Sequence, residues 1–248
     1  MKKTKIDWCD STWNPVTGCL HECPYCYAKK ICQRFGKHYP DHSYIAMRRP
    51  PLHIIDHRFD DTPYPYSFEP TFHSYRLNEY DNMRGKNIFV CSMADLFGSW
   101  VPDDWIYDIL KKCRSNKQNN YFFLTKNPKR YACVPCQENL WYGTTITCSD
   151  NVKNIKYLPA FSNTFVSIEP LQEDIAQTDL SLSDHVHWVI IGAETGNTKD
   201  KIIPERKWIE HIVQQCRKNH IPVFLKESLA DIWQEPLIQE FPNFKKGR

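Results

Sequence analysis

From about residue 88 onward, short runs of β-branched and aromatic residues alternate with longer amphipathic or polar stretches. This alternation is typical of βα units, in which a helix follows each strand and the strands form a parallel sheet. Several runs are apolar throughout, as expected for strands that are covered on both faces. The sequence therefore predicts an α/β fold with strands at residues 87–91, 121–125, 140–145, 164–168, 187–191 and 222–225, and an earlier candidate strand at 12–18.

Three amphipathic segments, at residues 27–35, 103–115 and 205–219, are predicted to be helices. Pro102 and Asp103 are typical of a helix start. The last segment carries an apolar stripe at helical spacing and stops before Pro222.

The chain has 248 residues, which suits one large domain, and we expect a single domain over residues 1–248. Residues 38–82 do not follow the βα rhythm, and they hold five of the ten histidines. We predict that they form an insertion, which could act as a lid or a substrate platform because loops of this kind ring the active site of a parallel barrel.

Composition narrows the class of protein. Hydrophobic residues make up 41% of the chain and charged residues 25%, which is close to the average for a globular protein. No apolar stretch is long enough to span a membrane and no signal peptide is evident, so we expect a cytoplasmic protein without a membrane partner. The net charge of +3 is too small to indicate nucleic acid by itself. Eleven cysteines in such a chain favour metal or redox chemistry over disulfides.

The strongest motif spans Trp13 to Ala28 and contains Cys19, Cys23 and Cys26 in a C-x3-C-x2-C pattern. Three thiolates can hold three irons of a cubane cluster and leave the fourth iron without a protein ligand. Zinc is the main alternative, and it would need a fourth ligand from His21, Cys32 or His38. A structural or chance cluster of cysteines is also open.

A second cysteine pair, Cys133 and Cys136, has C-x2-C spacing. A second metal centre there would need two more ligands, for which Cys113 and Cys148 are available. Incidental thiols are the alternative interpretation.

With Tyr25 just before the last cysteine, the motif resembles the signature of the radical S-adenosylmethionine (SAM) superfamily. Nearly the whole chain also resembles an uncharacterised radical SAM-like family of phages and mobile elements, distantly related to spore photoproduct lyase. The first two cysteines are closer together here than in many of those relatives. The matching blocks run from Trp13 to Cys19, Ile88 to Phe97, Phe123 to Lys126, Phe165 to Leu171 and Val189 to Gly196.

The resemblance implies an incomplete parallel (β/α) barrel of about six strands that holds a [4Fe-4S] cluster and SAM. It also implies an external reductant such as a flavodoxin or ferredoxin. Polar residues at the predicted strand ends are candidates for SAM and substrate contacts, because strand ends converge at the mouth of a barrel.

Among them, Asp95 would accept the SAM ammonium, Lys126 would pair with its carboxylate and Glu169 would bind the ribose or orient substrate. For the last two, an ion pair across the barrel mouth is the alternative. The remaining candidates for cofactor binding are Tyr25, Gly192 and Glu194, of which Gly192 would let the backbone approach the adenine ring.

The substrate and the catalytic residues are not evident from the sequence. One alternative is an enzyme that repairs or modifies a nucleic-acid base, and another is a non-catalytic, zinc-stabilised module that binds nucleic acid. Basic and aromatic residues do interleave at two places, as they do where proteins bind phosphates and stack bases, although solvated loop charges explain them equally well. These residues are Lys126, Lys129, Arg130 and Tyr131, and Arg48, Arg49, Tyr64 and Tyr66.

Overall fold

The computed structural model describes residues 4–36, 52–59, 61–175, 180, 182, 185–196 and 200–244. Ten strands occur in the described residues: β1 (Ser11–Trp13), β2 (Val16–Thr17), β3 (His53–Ile55), β4 (Thr71–His73), β5 (Asn87–Val90), β6 (Asn120–Thr125), β7 (Leu140–Ile146), β8 (Asn163–Ile168), β9 (Val189–Ile191) and β10 (Val223–Leu225). The α-helices there are α1 (Tyr27–Phe35), α2 (Asp103–Ser115), α3 (Ser149–Val152), α4 (Arg206–Lys218) and α5 (Ala230–Trp233).

Seven of the strands form one sheet in the order β1-β5-β6-β7-β8-β9-β10, and every neighbouring pair is parallel. The sheet is curled into a half-barrel with helices, which confirms the predicted incomplete (β/α) barrel. All six strands predicted after residue 86 are present, and their ends differ from the predictions by two residues at most. The three predicted helices correspond to α1, α2 and α4.

The single strand predicted at residues 12–18 is wrong. This segment forms two short strands in different sheets, because Asn14 and Pro15 separate β1 from β2. Proline lacks the N–H that a central strand needs and restricts the residue before it. Since β1 joins the parallel sheet, that sheet has seven strands and not about six.

Successive side chains along the strands point to opposite faces of the sheet and form two cores. Residues such as Val90, Phe123 and Val166 pack with Ile109 of α2 and Ile212 of α4 on the helical side of the sheet. Their neighbours in sequence point to the concave side, where they form an aromatic core of Phe89, Phe122, Trp141, Phe165, Trp188 and Phe224. This core fills the half-barrel away from the carboxyl ends of the strands, hereafter the rim.

The amino-terminal segment fills the concave side. The ring of Trp8 lies 4.9 Å from that of Phe89 and 6.0 Å from that of Trp188, between centroids. On either side of Trp8, the Asp7 carboxylate accepts a hydrogen bond from the Glu227 backbone (2.9 Å) and Asp10 accepts one from the Asn87 backbone (2.8 Å). The segment therefore links the two edges of the open sheet.

In the described part of the predicted insertion, β3 and β4 join β2 in a second sheet with the order β2-β4-β3. Two bonds join it to the chain just before the cysteines. The backbone N–H of His73 donates to the Pro15 carbonyl (2.7 Å), and the hydroxyl of Thr17 lies 2.8 Å from Nε2 of His73. The insertion thus supports the cysteine motif from outside the barrel.

No helix in the described part of the chain is long and apolar enough to cross a membrane.

Candidate functional site

The three cysteines lie in the connection between β2 and α1, residues 18–26, which we call the cysteine loop. Its first residue, Gly18, has a φ of +85°, and a Cβ there would lie only 2.2 Å from the Glu69 carbonyl oxygen. The Gly18 N–H donates to the Met93 carbonyl (2.9 Å), and the Cys19 N–H donates to the Phe68 carbonyl (3.2 Å). The loop is therefore fixed between the end of β5 and the second sheet, at a position that only glycine fits.

All three thiols are partly exposed and none forms a disulfide. Cys26 precedes α1 and its sulfur accepts a hydrogen bond from the Lys29 N–H (3.4 Å), as an N-cap does. Burial raises the pKa of the Cys19 thiol to about 12, and the charges of Asp95, Cys23 and Cys26 add to this effect. Thiolates are the ligands of soft metals, so three free thiols on one loop could hold a metal centre.

This donor set fits an iron–sulfur cluster better than a single zinc ion. Among the described residues, no group of three or more His, Cys, Asp and Glu side chains could hold one metal ion. In a cubane cluster each thiolate binds a different iron, so the sulfurs need not meet at one point. Of the zinc ligands considered above, Cys32 is completely buried, His21 is paired with an aspartate, and His38 lies outside the described residues.

Asp95 connects the cysteine loop to the sheet. One of its oxygens lies 2.7 Å from Nε2 of His21, the residue midway between Cys19 and Cys23, and also accepts from the Lys126 N–H (2.9 Å). The other oxygen accepts from the Phe97 N–H (3.0 Å). Asp95 is only 5% exposed, so three donors already occupy a nearly buried carboxylate. Its predicted contact with the SAM ammonium stays a prediction.

Tyr25 and Lys126 meet at the rim. The Lys126 ammonium donates to the Tyr25 hydroxyl (3.1 Å) and lies 5.4 Å from the centre of the ring. Burial raises the pKa of Tyr25, and Lys126 acts in the opposite direction. Lys126 thus lies beside the cysteine loop, which is the position required of a residue that contacts a cofactor there. Its ammonium contacts a neutral phenol here, and not the carboxylate that an ion pair across the barrel mouth requires.

Glu169, Gly192 and Lys226 meet at the carboxyl ends of β8, β9 and β10. The Lys226 ammonium forms an ion pair with the Glu169 carboxylate. A Cβ on Gly192 would lie 2.9 Å from Cδ of Lys226 and 3.2 Å from Cδ of Glu169. The glycine therefore leaves room for the pair, which is the ion pair considered as the alternative for Glu169. Glu194, two residues after Gly192, is 8% exposed.

For two contributors to the site, the pairing is not evident from the sequence. The pattern indicates His21 only as a zinc ligand, and its pairing with Asp95 spans 74 residues, so no local signal reveals it. Lys226 is visible as a polar residue at a strand end, but its partner can be identified only from the register of β8, β9 and β10. Tyr27 also contributes, because its hydroxyl donates to the Ser92 carbonyl (2.5 Å) and joins α1 to the end of β5.

The second cysteine pair lies apart from these contacts. Cys133 and Cys136 are exposed, and the thiol of Cys136 donates to the Phe161 carbonyl. Of the additional ligands considered, Cys113 is completely buried in α2. A second metal centre around this pair stays a prediction.

The basic and aromatic residues of the predicted insertion were candidates for contacts with nucleic acid. The ring of Tyr66 stacks on that of His53, with 3.7 Å between centroids, and Tyr64 packs against a small apolar cluster around α1. Arg48 and Arg49 lie outside the described residues. Both tyrosines thus contribute to packing within the fold.

Solved structures of spore photoproduct lyase share this fold. The lyase "complexed with dinucleoside spore photoproduct" matches with a TM-score of 0.53 and 8% identity, over 89% of this chain and 78% of the lyase chain. A cysteine-to-serine mutant of the lyase matches with a TM-score of 0.52 and 8% identity, over 91% and 79% of the two chains. The resemblance to spore photoproduct lyase is thus confirmed at the level of the fold. No curated protein sequence matches the chain.

One family model, described as "Protein of unknown function (DUF5131)", matches residues 3–237. The match covers both sheets, the cysteine loop and the rim. The association with phages and mobile elements stays a prediction. The chain belongs to the DUF5131 family.

Proposed function

We propose that this chain is a radical SAM enzyme that holds a [4Fe-4S] cluster at Cys19, Cys23 and Cys26 and binds SAM beside it. The observation that carries the proposal is the position of three free, partly exposed cysteines on one loop, which contacts the rim of a half-barrel through His21 and Tyr25. Support comes from spore photoproduct lyase, a radical SAM enzyme with the same fold. The chemistry that the cluster supplies when bound is one-electron reduction of the SAM sulfonium, which generates a 5′-deoxyadenosyl radical.

The residues of the rim would bind and orient SAM. Lys126 carries a positive charge beside the cysteine loop and suits the carboxylate of the methionine moiety. Tyr25 belongs to the cysteine loop, and its hydroxyl and ring would hold the Lys126 ammonium in position. The electron would come from a one-electron protein donor of the flavodoxin or ferredoxin type.

On the opposite part of the rim, the Glu169 carboxylate suits the ribose hydroxyls, and Lys226 holds that carboxylate in place. The missing side chain of Gly192 would let an adenine ring approach the backbone. Glu194 is a further candidate for a polar contact with the nucleoside. Asp95 would act mainly through His21, by positioning the cysteine loop over the ends of β5 and β6.

A nucleic-acid base is the substrate class that a specific observation favours. The matched structure of spore photoproduct lyase is a complex with a dinucleoside photoproduct. Under this second proposal the chain repairs or modifies a base of DNA or RNA. Such a substrate would enter the half-barrel from the rim, since the aromatic core closes the other end.

Cluster binding can be tested by anaerobic reconstitution with iron and sulfide. The wild-type chain is expected to bind about four irons and four sulfides and to absorb near about 400 nm. Replacing any one of Cys19, Cys23 and Cys26 by serine should remove most of this iron. The matched control is Cys133→Ser/Cys136→Ser, which alters an exposed cysteine pair and should leave the iron content unchanged. Zinc as the only metal bound, or equal iron in all variants, would rule out the proposed site.

A further inference from the structure

A groove lies on the surface between the connection from β6 to β7 and the connection from β7 to β8. Its volume is about 400 Å³, which is within the range of small-ligand pockets. The walls include Lys129 and Cys136 on one side, and Tyr157, Leu158 and Phe161 on the other. None of these residues belongs to the cysteine loop or the rim, so the groove is a separate feature of the molecule.

Aromatic side chains and ammonium groups lie close together at this groove. Phe161 is 89% exposed, an unusual position for a large apolar ring in a globular domain. Tyr157 lies under two ammonium groups, those of Lys129 and Lys156, which are 5.3 Å and 5.0 Å from the ring centre. Both lysines are exposed and can reach a ligand in the groove.

Positive charge is concentrated in the same part of the chain. Residues 126–162 contain five Lys and Arg residues and two acidic residues, a net of +3, which equals the net charge of the whole chain. Arg130 and Tyr131, which the sequence indicated as nucleic-acid contacts, serve the fold instead. Arg130 donates to the Gly98 carbonyl (2.6 Å) and pairs with Asp103, and Tyr131 is buried. Lys129, Lys153 and Lys156 are the exposed cations of this stretch, and Lys129 and Lys156 are the two that lie over the Tyr157 ring.

The walls of the groove are joined to each other by hydrogen bonds. The Cys136 thiol donates to the Phe161 carbonyl, and the Asn163 side chain donates to the Glu138 carbonyl (2.6 Å). Since these bonds connect the two loops, the groove is formed before any ligand arrives. A preformed site loses less conformational entropy on binding.

We propose that this groove binds single-stranded nucleic acid, with bases stacked on Phe161 and Tyr157 and phosphates paired with Lys129 and Lys156. Exposed rings beside cations are the elements that bind unpaired bases and their backbone. An acidic protein surface would satisfy the lysines but would leave the exposed Phe161 ring without a planar partner. The proposal goes beyond the proposed radical SAM function and does not depend on it, because no cluster ligand takes part.

The test is fluorescence anisotropy on the full-length, anaerobically reconstituted protein. The probes are labelled oligothymidine and oligouridine of about 12 nucleotides, with a blunt DNA duplex for comparison. We expect both single strands to bind more tightly than the duplex. Phe161→Ala should weaken binding at least about fivefold, from lost stacking. Lys129→Glu/Lys156→Glu should reduce the slope of log K against log salt by about 1.4, that is about 0.7 for each lost phosphate contact.

The chain provides a matched control on α2. Tyr107 is 63% exposed, and the ammonium of Lys111 lies 6.0 Å from its ring centre. Tyr107→Ala/Lys111→Glu removes the same chemistry outside the groove, and it should leave affinity and salt slope unchanged.

Three results would overturn the inference: no binding of either single strand at low salt, groove variants that bind like the wild type, or displacement of the probe by polyglutamate as efficiently as by unlabelled oligothymidine. The last result would assign the groove to an acidic protein. Iron content, measured on the same samples, separates a failure of the groove from a failure of the cluster.

Discussion

At the residue scale, one nearly buried carboxylate determines where the cysteine loop lies. Asp95 accepts backbone hydrogen bonds from the residues after β5 and β6, and pairs with His21 inside the loop. The ring of Trp100 lies 4.9 Å from the ring of His21 and restricts it further. Because Cys19 and Cys23 lie two residues before and after His21, the pairing with Asp95 fixes the part of the loop that carries them.

Asp95→Asn should therefore impair cluster binding. An amide has one acceptor oxygen, so at least one donor around residue 95 would lose its partner, at a cost of about 1–3 kcal/mol. We expect less iron after reconstitution and a lower thermal midpoint of the iron-free protein. The control is Asp56→Asn, which alters an exposed His–Asp pair (2.8 Å to His57). Full iron content with weaker SAM binding would instead assign Asp95 to the SAM ammonium.

At the element scale, the second sheet supports the cysteine loop through a buried histidine. His73 is completely buried in β4, and its Nε2 lies 2.8 Å from the Thr17 hydroxyl. The segment after β4 adds two bonds, from the Trp13 indole to the Arg76 carbonyl (2.9 Å) and from the Arg76 side chain to the Asn14 carbonyl (3.0 Å). The predicted insertion is thus part of the framework of the site.

His73 makes the stability of this framework depend on pH. Burial lowers its pKa to about 2, so the folded protein keeps it neutral while the unfolded chain protonates it below about pH 6.5. Stability is therefore lost as pH falls below about 6.5, by up to about 1.4 kcal/mol per pH unit. The free energy of unfolding can be measured with urea at about pH 6.5 and about pH 5.5. The difference between the two values should be smaller in His73→Gln than in the wild type, whereas His57→Gln, at an exposed position, should leave it unchanged. An unchanged decrease in His73→Gln would contradict the assignment.

Features formed by residues close together in the sequence could be predicted, and contacts between distant residues could not. The strands after residue 86 follow from continuous apolar runs. The spacing of Cys19, Cys23 and Cys26 predicts a cluster site, which stays a prediction. The break between β1 and β2 at Pro15 was not predicted, because the residues on both sides of the proline have the composition of one strand. Proline is nevertheless a local signal for such a break. The His21–Asp95 and Glu169–Lys226 pairs join residues 74 and 57 positions apart. Such pairs depend on strand order and register, which no short pattern encodes.

At the scale of the whole molecule, the half-barrel has one closed end and one open end. Trp8 is 2% exposed and packs on rings from β5, β6, β8 and the start of β9, while Phe244 packs on Phe122 and Trp141 (5.5 Å and 5.4 Å between centroids). Residues from both ends of the chain therefore complete the aromatic core. Under the proposed function, cofactor and substrate would enter from the rim.

Trp8→Ala should destabilise the entire domain and not only the amino-terminal segment. Loss of a buried tryptophan costs about 3–5 kcal/mol, because it removes apolar contacts and leaves a cavity. Denaturant unfolding should show this loss as one cooperative transition at a lower midpoint. Phe161→Ala, which truncates an exposed ring, should change the midpoint little. A loss below about 1 kcal/mol in Trp8→Ala would mean that the segment does not complete the core.

The central claim is that the cysteine loop and the rim together cleave SAM. The most direct measurement is 5′-deoxyadenosine released from SAM by the anaerobically reconstituted protein after reduction with dithionite. The wild-type chain and Cys133→Ser/Cys136→Ser should both release it, whereas Cys26→Ser should not. A wild-type protein that carries a complete, reducible cluster, binds SAM and still releases no 5′-deoxyadenosine would contradict the claim.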